Sequence, residues 1–390
     1  MRLKRLLLVV AGLACAVAVA GCGGGGDGDG EATVSSERKS AAAEHYANIV
    51  YAAYGASIRS AERMQDAVDG FLENPTQARL ATARKAWRSA RDDYIVTEPF
   101  RFYGGPIDDP KSGPEGLINA WPMDEVYIDY VRGEPRAGIV NDKAAYPKIT
   151  EAVIVEANEK GGETNISSGW HAIEFLLWGQ DRSATGPGTR PAADYTTAPN
   201  AARRARYLHL TTDRLLSDLR SVREPWSPGG AYRKTFLADP DKALTNMLRG
   251  IGTLNSHELA GERMAVALES TEQEDEHSCF SDNTNADVLN DLKGIRMVYM
   301  GEGEGVSGGV SLDALVREVD PQLAAELRSK LEKTVSAAQN FPATFERMIS
   351  APAGSPEHKA LADEIAAIED QGTDLAEAAE ALGVKVNFEA

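Results

Sequence analysis

From Glu37 almost to the C-terminus, apolar residues recur at three- and four-residue intervals, and no stretch alternates apolar and polar β-formers. A 3.6-residue period marks a helix buried along one stripe, and without a two-residue period there is no half-buried strand from which to build a sheet. The chain is therefore expected to be all-α. Helices are predicted at about 39–72, ending at Asn74-Pro75, and at 76–97, stopped by Pro99. Others are expected at 115–131, 149–158, 166–178, 201–222, 234–268 with a break near Gly250, 285–300, 311–341 and 356–382. The loop at 180–200, rich in Gly, Pro, Thr and Asp, separates two sets of long helices. Two packed helical bundles, about 37–200 and 201–385, are the expected architecture. Their shared plan of long helices around a Gly-containing loop suggests an internal duplication.

The N-terminus carries a different signal. Arg2, Lys4 and Arg5 precede an apolar run from Leu6 to Ala20, and Val19-Ala20-Gly21-Cys22 is followed by four glycines. A basic start, an apolar core shorter than a membrane span and small residues before a cysteine predict a lipoprotein signal over 1–21, with lipid attached to Cys22. Residues 22–36, Gly-rich and acidic, read as a tether. The expected location is the periplasmic or cell-surface face of a bacterial membrane, with the membrane as partner through the lipid. Loss of 1–21 takes away three basic and no acidic residues, moving the formal charge from −18 to −21, which argues against nucleic acid as a partner. With Cys15 removed and Cys22 acylated, Cys279 has no intrachain partner, and stability must come from core burial.

The string Ser168-Gly169-Trp170-His171-Ala172-Ile173-Glu174-Phe175-Leu176-Leu177-Trp178-Gly179 carries the most chemistry. Three residues apart on a helix, His171 and Glu174 share a face, where an imidazole and a carboxylate either bind one metal ion or pair structurally in a core. The pattern alone does not choose. No His-Glu-x-x-His string is present, so no zincin signature supports hydrolysis.

Gly169, His171 and Glu174, with the Phe-Leu-Leu-Trp-Gly that follows, resemble the GxHxxE motif of the imelysin family, which includes the iron-regulated protein A group. The strings Trp121 to Tyr130, Leu259 to Met264 (with Glu262 and Arg263) and Glu274 to Thr284 are also similar to strings of that family. The resemblance implies two helical bundles with the motif near their junction, a place in the cell envelope, and a link to iron acquisition through a metal or an iron-bearing ligand and an uptake partner protein. It also implies a metal site of His171, Glu174 and further carboxylates, for which Glu98 and Asp124 are the candidates. One nitrogen and three carboxylates suit iron, with zinc or manganese as alternatives. The plainer readings are a helix-end carboxylate for Glu98 and a helix-N-terminal residue for Asp124. Glu258, Glu262 and Arg263 are expected to form structural pairs. A binding protein is the favoured function. A metallopeptidase, as the family was first grouped, and a recognition scaffold using Trp121, Tyr127, Trp170 and Trp178 are the alternatives.

Overall fold

The structure, a computed structural model, describes residues 33–183 and 185–388. The signal segment and Cys22 lie outside the described residues. Among the described residues there is no strand, only isolated bridges at Val131/Glu134 and Gly303/Val306, and the all-α expectation holds. No described helix is long and apolar enough to cross a membrane.

Helix α1 (Ser36–Glu73) opens on Ser35, whose side chain accepts from the Arg38 N–H, and packs along α2 (Gln77–Ile95), capped in the same way by Thr76. Four short helices follow: α3 (Glu115–Ile118), α4 (Glu125–Ile128), α5 (Gly138–Asn141) and α6 (Glu151–Ala157). Then come α7 (Gly169–Trp178), which carries the motif, α8 (Ala201–Arg223), α9 (Ala231–Leu237) and α10 (Pro240–Thr253). A π-helix (Leu254–Ala265) continues α10 and runs into α11 (Val266–Ser270). The chain ends with α12 (Thr284–Met300), α13 (Leu312–Val319), α14 (Pro321–Gln339), α15 (Phe345–Ile349) and α16 (Pro356–Ala381). Helix α1 packs against α8 and α10 as well as α2, and α2 also meets α7 and α12.

Three predicted helices are divided. The 115–131 segment forms α3 and α4 with a turn between them, and 311–341 breaks at Asp320-Pro321. The 234–268 segment breaks at Asp239-Pro240 rather than at Gly250. In both Asp-Pro pairs the proline takes the first helical position and the aspartate accepts the next free N–H groups, from Lys242 in one case and from Gln322 and Leu323 in the other. Gly250 serves close approach instead: a Cβ there would stand 2.2 Å from the Pro99 carbonyl oxygen.

Helix α7 is buried on every side. Trp87 of α2 meets Trp178 and Trp170 edge-on at 5.3 and 6.1 Å, and its Nε1–H donates to the Trp170 carbonyl at 3.1 Å. Arg84 donates from Nε and Nη2 to the Leu177 carbonyl, satisfying the C-terminal turn of α7. At the other end the Tyr207 hydroxyl of α8 donates to the Ser167 carbonyl at 2.7 Å. The motif helix is thus fixed from both ends before its own polar residues act.

Candidate binding cleft over the GxHxxE helix

Gly169 begins α7 with φ +84°, and a Cβ there would lie 2.4 Å from the Ile118 carbonyl oxygen. A side chain is therefore opposed both by the left-handed backbone and by the close approach of α3. The glycine sets the start of the helix so that His171 and Glu174 project toward the 273–283 loop.

His171 and Glu174 are both fully buried, and His171 Nδ1 lies 3.0 Å from Glu174 Oε2. Glu174 Oε1 accepts from the Ser281 N–H at 2.9 Å and from the Ser281 hydroxyl at 2.6 Å. On the far side of the imidazole, Arg91 Nη2 is 3.3 Å from His171 Nε2. The same Nη2 donates to Asp287 Oδ2 at 3.1 Å, and Arg91 Nη1 donates to Asn119. It also stands 3.3 and 3.4 Å from the two ring nitrogens of His277. Near-equal distances to both nitrogens place the guanidinium over the His277 ring face rather than in line with either lone pair. Asp287 accepts further from the Ser278 hydroxyl at 2.6 Å and faces His277 Nδ1 at 3.1 Å.

These contacts fix the protons. A guanidinium only donates, so His171 Nε2 accepts, and the single ring proton sits on Nδ1, pointing at Glu174. Burial pushes the Glu174 titration up to about 8, against the pull of the two Ser281 hydrogen bonds and of Arg91. Burial, then Arg91 and His277, hold His171 well below its ordinary range, so the ring is neutral. His277 is lowered to about 4 by burial and by Arg263 and Arg91, with Asp287 opposing. Burial would raise Asp287, but Arg91 and His277 more than offset it and keep the carboxylate charged.

The sequence candidates do not all meet. Glu98, in the turn after α2, accepts from Arg101 Nη1 and Arg263 Nη2, both at 2.6 Å, and from Asn119 at 3.4 Å. Burial works against its charge, and the two arginines overcome it. Asp124 caps α4, accepting from the Val126 N–H at 3.1 Å. Among the described residues no group of three or more His, Cys, Asp or Glu is placed to hold a metal ion. The reason is visible in the donor set: one arginine nitrogen stands among His171, His277 and Asp287, two more arginines occupy Glu98, and Ser281 occupies Glu174. As arranged, these residues do not fit a bare metal ion.

A cleft of about 560 Å³ opens in front of this network. Trp121 and His277 line it and both pack, tilted, against the His171 ring, with centroids 4.7 and 5.0 Å away, so the motif histidine lies directly behind the cleft wall. The π-helix forms the opposite side. Five residues make one hydrogen-bonded turn there, so Glu258 and Arg263 stack and pair at 2.9 Å; on an α-helix they would be about 140° apart. Arg263 also holds Asp291 at 2.8 Å, and Arg101 holds Glu115 at 3.0 Å. Six carboxylates line the cleft against two guanidiniums. Glu115 and Glu258 are the two paired with arginine, whereas Glu159, Glu163, Glu262 and Asp275 lie toward solvent, beyond reach of both guanidiniums. Val266, 42 % exposed, adds an apolar contact at the rim.

His277, Ser281, Asp287 and Arg91 carry no local spacing signal in the sequence that marks them as site residues. Acidic composition around Glu272 to Glu276 favours a solvated loop, yet Glu276 to Ser281 are buried. Cys279, within it, is buried and its thiol is pushed up by that burial. His209 pairs at the surface with Asp69 at 2.8 Å.

The fold and this site define a class: helical proteins in which a buried GxHxxE helix backs an acidic cleft. An iron-regulated protein A precursor from Parabacteroides distasonis has the same fold, with a TM-score of 0.68 at 19 % identity, covering 89 % of this chain and 96 % of that one. An imelysin-like protein from Psychrobacter arcticum gives 0.62 at 13 %, covering 91 % and 98 %. The chain belongs to the imelysin family, whose model matches residues 50–375. Iron-regulated protein A of Synechococcus elongatus is 28 % identical over 335 residues, 83 % of this chain and 81 % of the relative.

Proposed function

We propose that this chain is an iron-acquisition binding protein of the bacterial cell envelope, exported and tethered by lipid on Cys22, that takes an iron-bearing cationic ligand into the acidic cleft. The observation that carries the reading is the cleft itself: four carboxylates without an arginine partner surround a space of about 560 Å³, far larger than a single ion needs. The kinship with iron-regulated protein A supports the link to iron. The motif's part is structural support: His171, braced by Glu174 and Arg91, backs the two rings that form the cleft wall. A hydrolytic role lacks support from the same geometry, because every polar atom of His171 and Glu174 is already engaged and none is left as a general base.

The test is calorimetry on the purified domain from Glu37 onward with ferrous ion, ferric ion and a positively charged ferric trihydroxamate. The reading expects saturable binding of the complex, weakened by Glu163→Gln with Glu262→Gln and retained in a folded His171→Ala variant. Tight stoichiometric binding of bare ferrous ion that His171→Ala abolishes would return the site to the motif and overturn the reading.

A further inference from the structure

Between α14 and α16, away from the cleft, lies a second groove of about 400 Å³. Its walls are mostly apolar, with Ala337, Phe341, Pro342, Ala360 and Ala367; Glu364 is set among them, and Lys333, Asn340 and Asp363 complete the lining. Glu364 is 3 % exposed, and its Oε1 is buried with no hydrogen-bond partner. Burial lifts its titration from 4.5 to about 8. Neighbouring acids on the same helix are served: Asp374 by Lys330 at 2.7 Å and Asp363 by Lys359 at 2.5 Å.

The helix register explains the orphan. Thr334 bonds Gln371 at 2.8 Å and Lys330 bonds Asp374, so the two helices run antiparallel, and a step forward on α14 matches a step back on α16. Seven residues back from Gln371 is Glu364, and seven on from Thr334 is Phe341, beyond the end of α14 at Gln339. Glu364 therefore faces the place where α14 has stopped and can offer no lysine. What α14 offers there is the negative end of its dipole, which adds to the preference for positive charge. An apolar groove with one convergent buried polar group is the usual form of a small-molecule site.

We propose that this groove binds a small primary ammonium ion bearing an apolar chain or ring, its charge held by Glu364 and its body lying against Phe341, Pro342 and the alanines of α16. This site is independent of the acidic cleft and of the reading given to it. Lys333 lines the far end of the groove and is the rival occupant from within the chain.

The experiment titrates phenethylammonium, with neutral 2-phenylethanol as control, into wild type, Glu364→Gln and Lys333→Met by calorimetry and by carboxyl-carbon NMR of Glu364. The expected result is saturable ammonium binding at millimolar affinity or better, at least about tenfold weaker in Glu364→Gln and absent for the alcohol. Binding should also move the Glu364 titration downward in the wild type. Glu364→Gln keeps the shape of the side chain and removes an unpaired buried acid, so it should fold, as circular dichroism would verify. Equal affinity in wild type and Glu364→Gln, no saturable binding in any variant, or binding that appears only in Lys333→Met each overturns the proposal.

Discussion

Replacing Arg91 by alanine removes the one cation shared by His171, His277 and Asp287, and the structure indicates what should follow. Arg91 and Asp287 are both fully buried, and deleting one partner of such a pair costs about 3–5 kcal/mol, because the other charge is stranded. Part of that returns through His277, which loses an opposing guanidinium and can take up a proton beside Asp287. The variant also gains a function. Two lone pairs, on His171 Nε2 and Asp287 Oδ2, now stand 3.3 and 3.1 Å from an empty position; His277, which presents its ring face there, supplies a third donor once its ring turns a nitrogen inward, and closing in by about 1 Å would give a zinc ion ordinary bond lengths. Zinc at a hundredfold excess over its dissociation constant should then restore about 2.7 kcal/mol. Urea unfolding of Arg91→Ala with and without zinc measures both effects, and Arg91→Ala with His171→Ala is the control that should lose the zinc response. If the wild type binds zinc through His171 as tightly as the variant does, the guanidinium does not fill the cation position and the reasoning fails.

Gly169→Ala should destabilise the domain by at least about 2 kcal/mol in urea unfolding, because φ +84° and a Cβ 2.4 Å from the Ile118 oxygen act together; a loss below about 0.5 kcal/mol would contradict this. Glu364 stays protonated in the fold up to about pH 8 but ionises at about 4.5 when unfolded, so the native state holds the extra proton between those values and this group makes stability fall as pH rises through them. Glu364→Gln should remove that slope, at most about 1.4 kcal/mol per pH unit and less where solvent enters the groove; unchanged slopes in the two proteins would refute the assignment. Binding of a cationic ligand to the cleft should weaken as salt rises, and Glu163→Gln with Glu262→Gln should flatten that dependence, whereas a salt-insensitive affinity would point away from the carboxylates.

Much of the fold is legible in the sequence because most of these helices bury one stripe, and one-sided burial is what a 3.6-residue pattern records. The expected 39–72 lies within three residues of the start of α1 and one of its end, and 356–382 within one of the end of α16, as their Ser and Asn-Pro or Ser-Pro boundaries allow. The divisions at Asp239-Pro240 and Asp320-Pro321 were legible too, since a proline takes the first helical position and the aspartate before it supplies the cap. The apolar pattern runs across both, and Gly250 attracted the break instead. What that glycine permits, the approach of Pro99, is a tertiary fact with no local trace.

The site divides along the same line. The His171–Glu174 contact is an i,i+3 relation and follows from the helix alone. Arg91 lies 80 residues earlier and Ser281 107 residues later than the atoms they hold, and neither has a signature that separates it from a surface residue. His277 sat in an acidic string whose composition argues for solvent, yet the loop folds inward because Asp287, Thr284 and Glu174 supply partners for Ser278 and Ser281. The π-helix shows why spacing by itself misleads here. Read with an α-helical period, Glu258 and Arg263 diverge, and the natural inference is separate pairs across an interface. Read with five residues to the hydrogen-bonded turn, they stack, and Arg263 reaches Glu98 and Asp291 at once. One arginine thereby bridges three carboxyl groups under the cleft, and Glu262 beside it is left exposed at the rim. The share of the cleft's unpaired negative charge that Glu262 carries is thus set by the local winding of one helix.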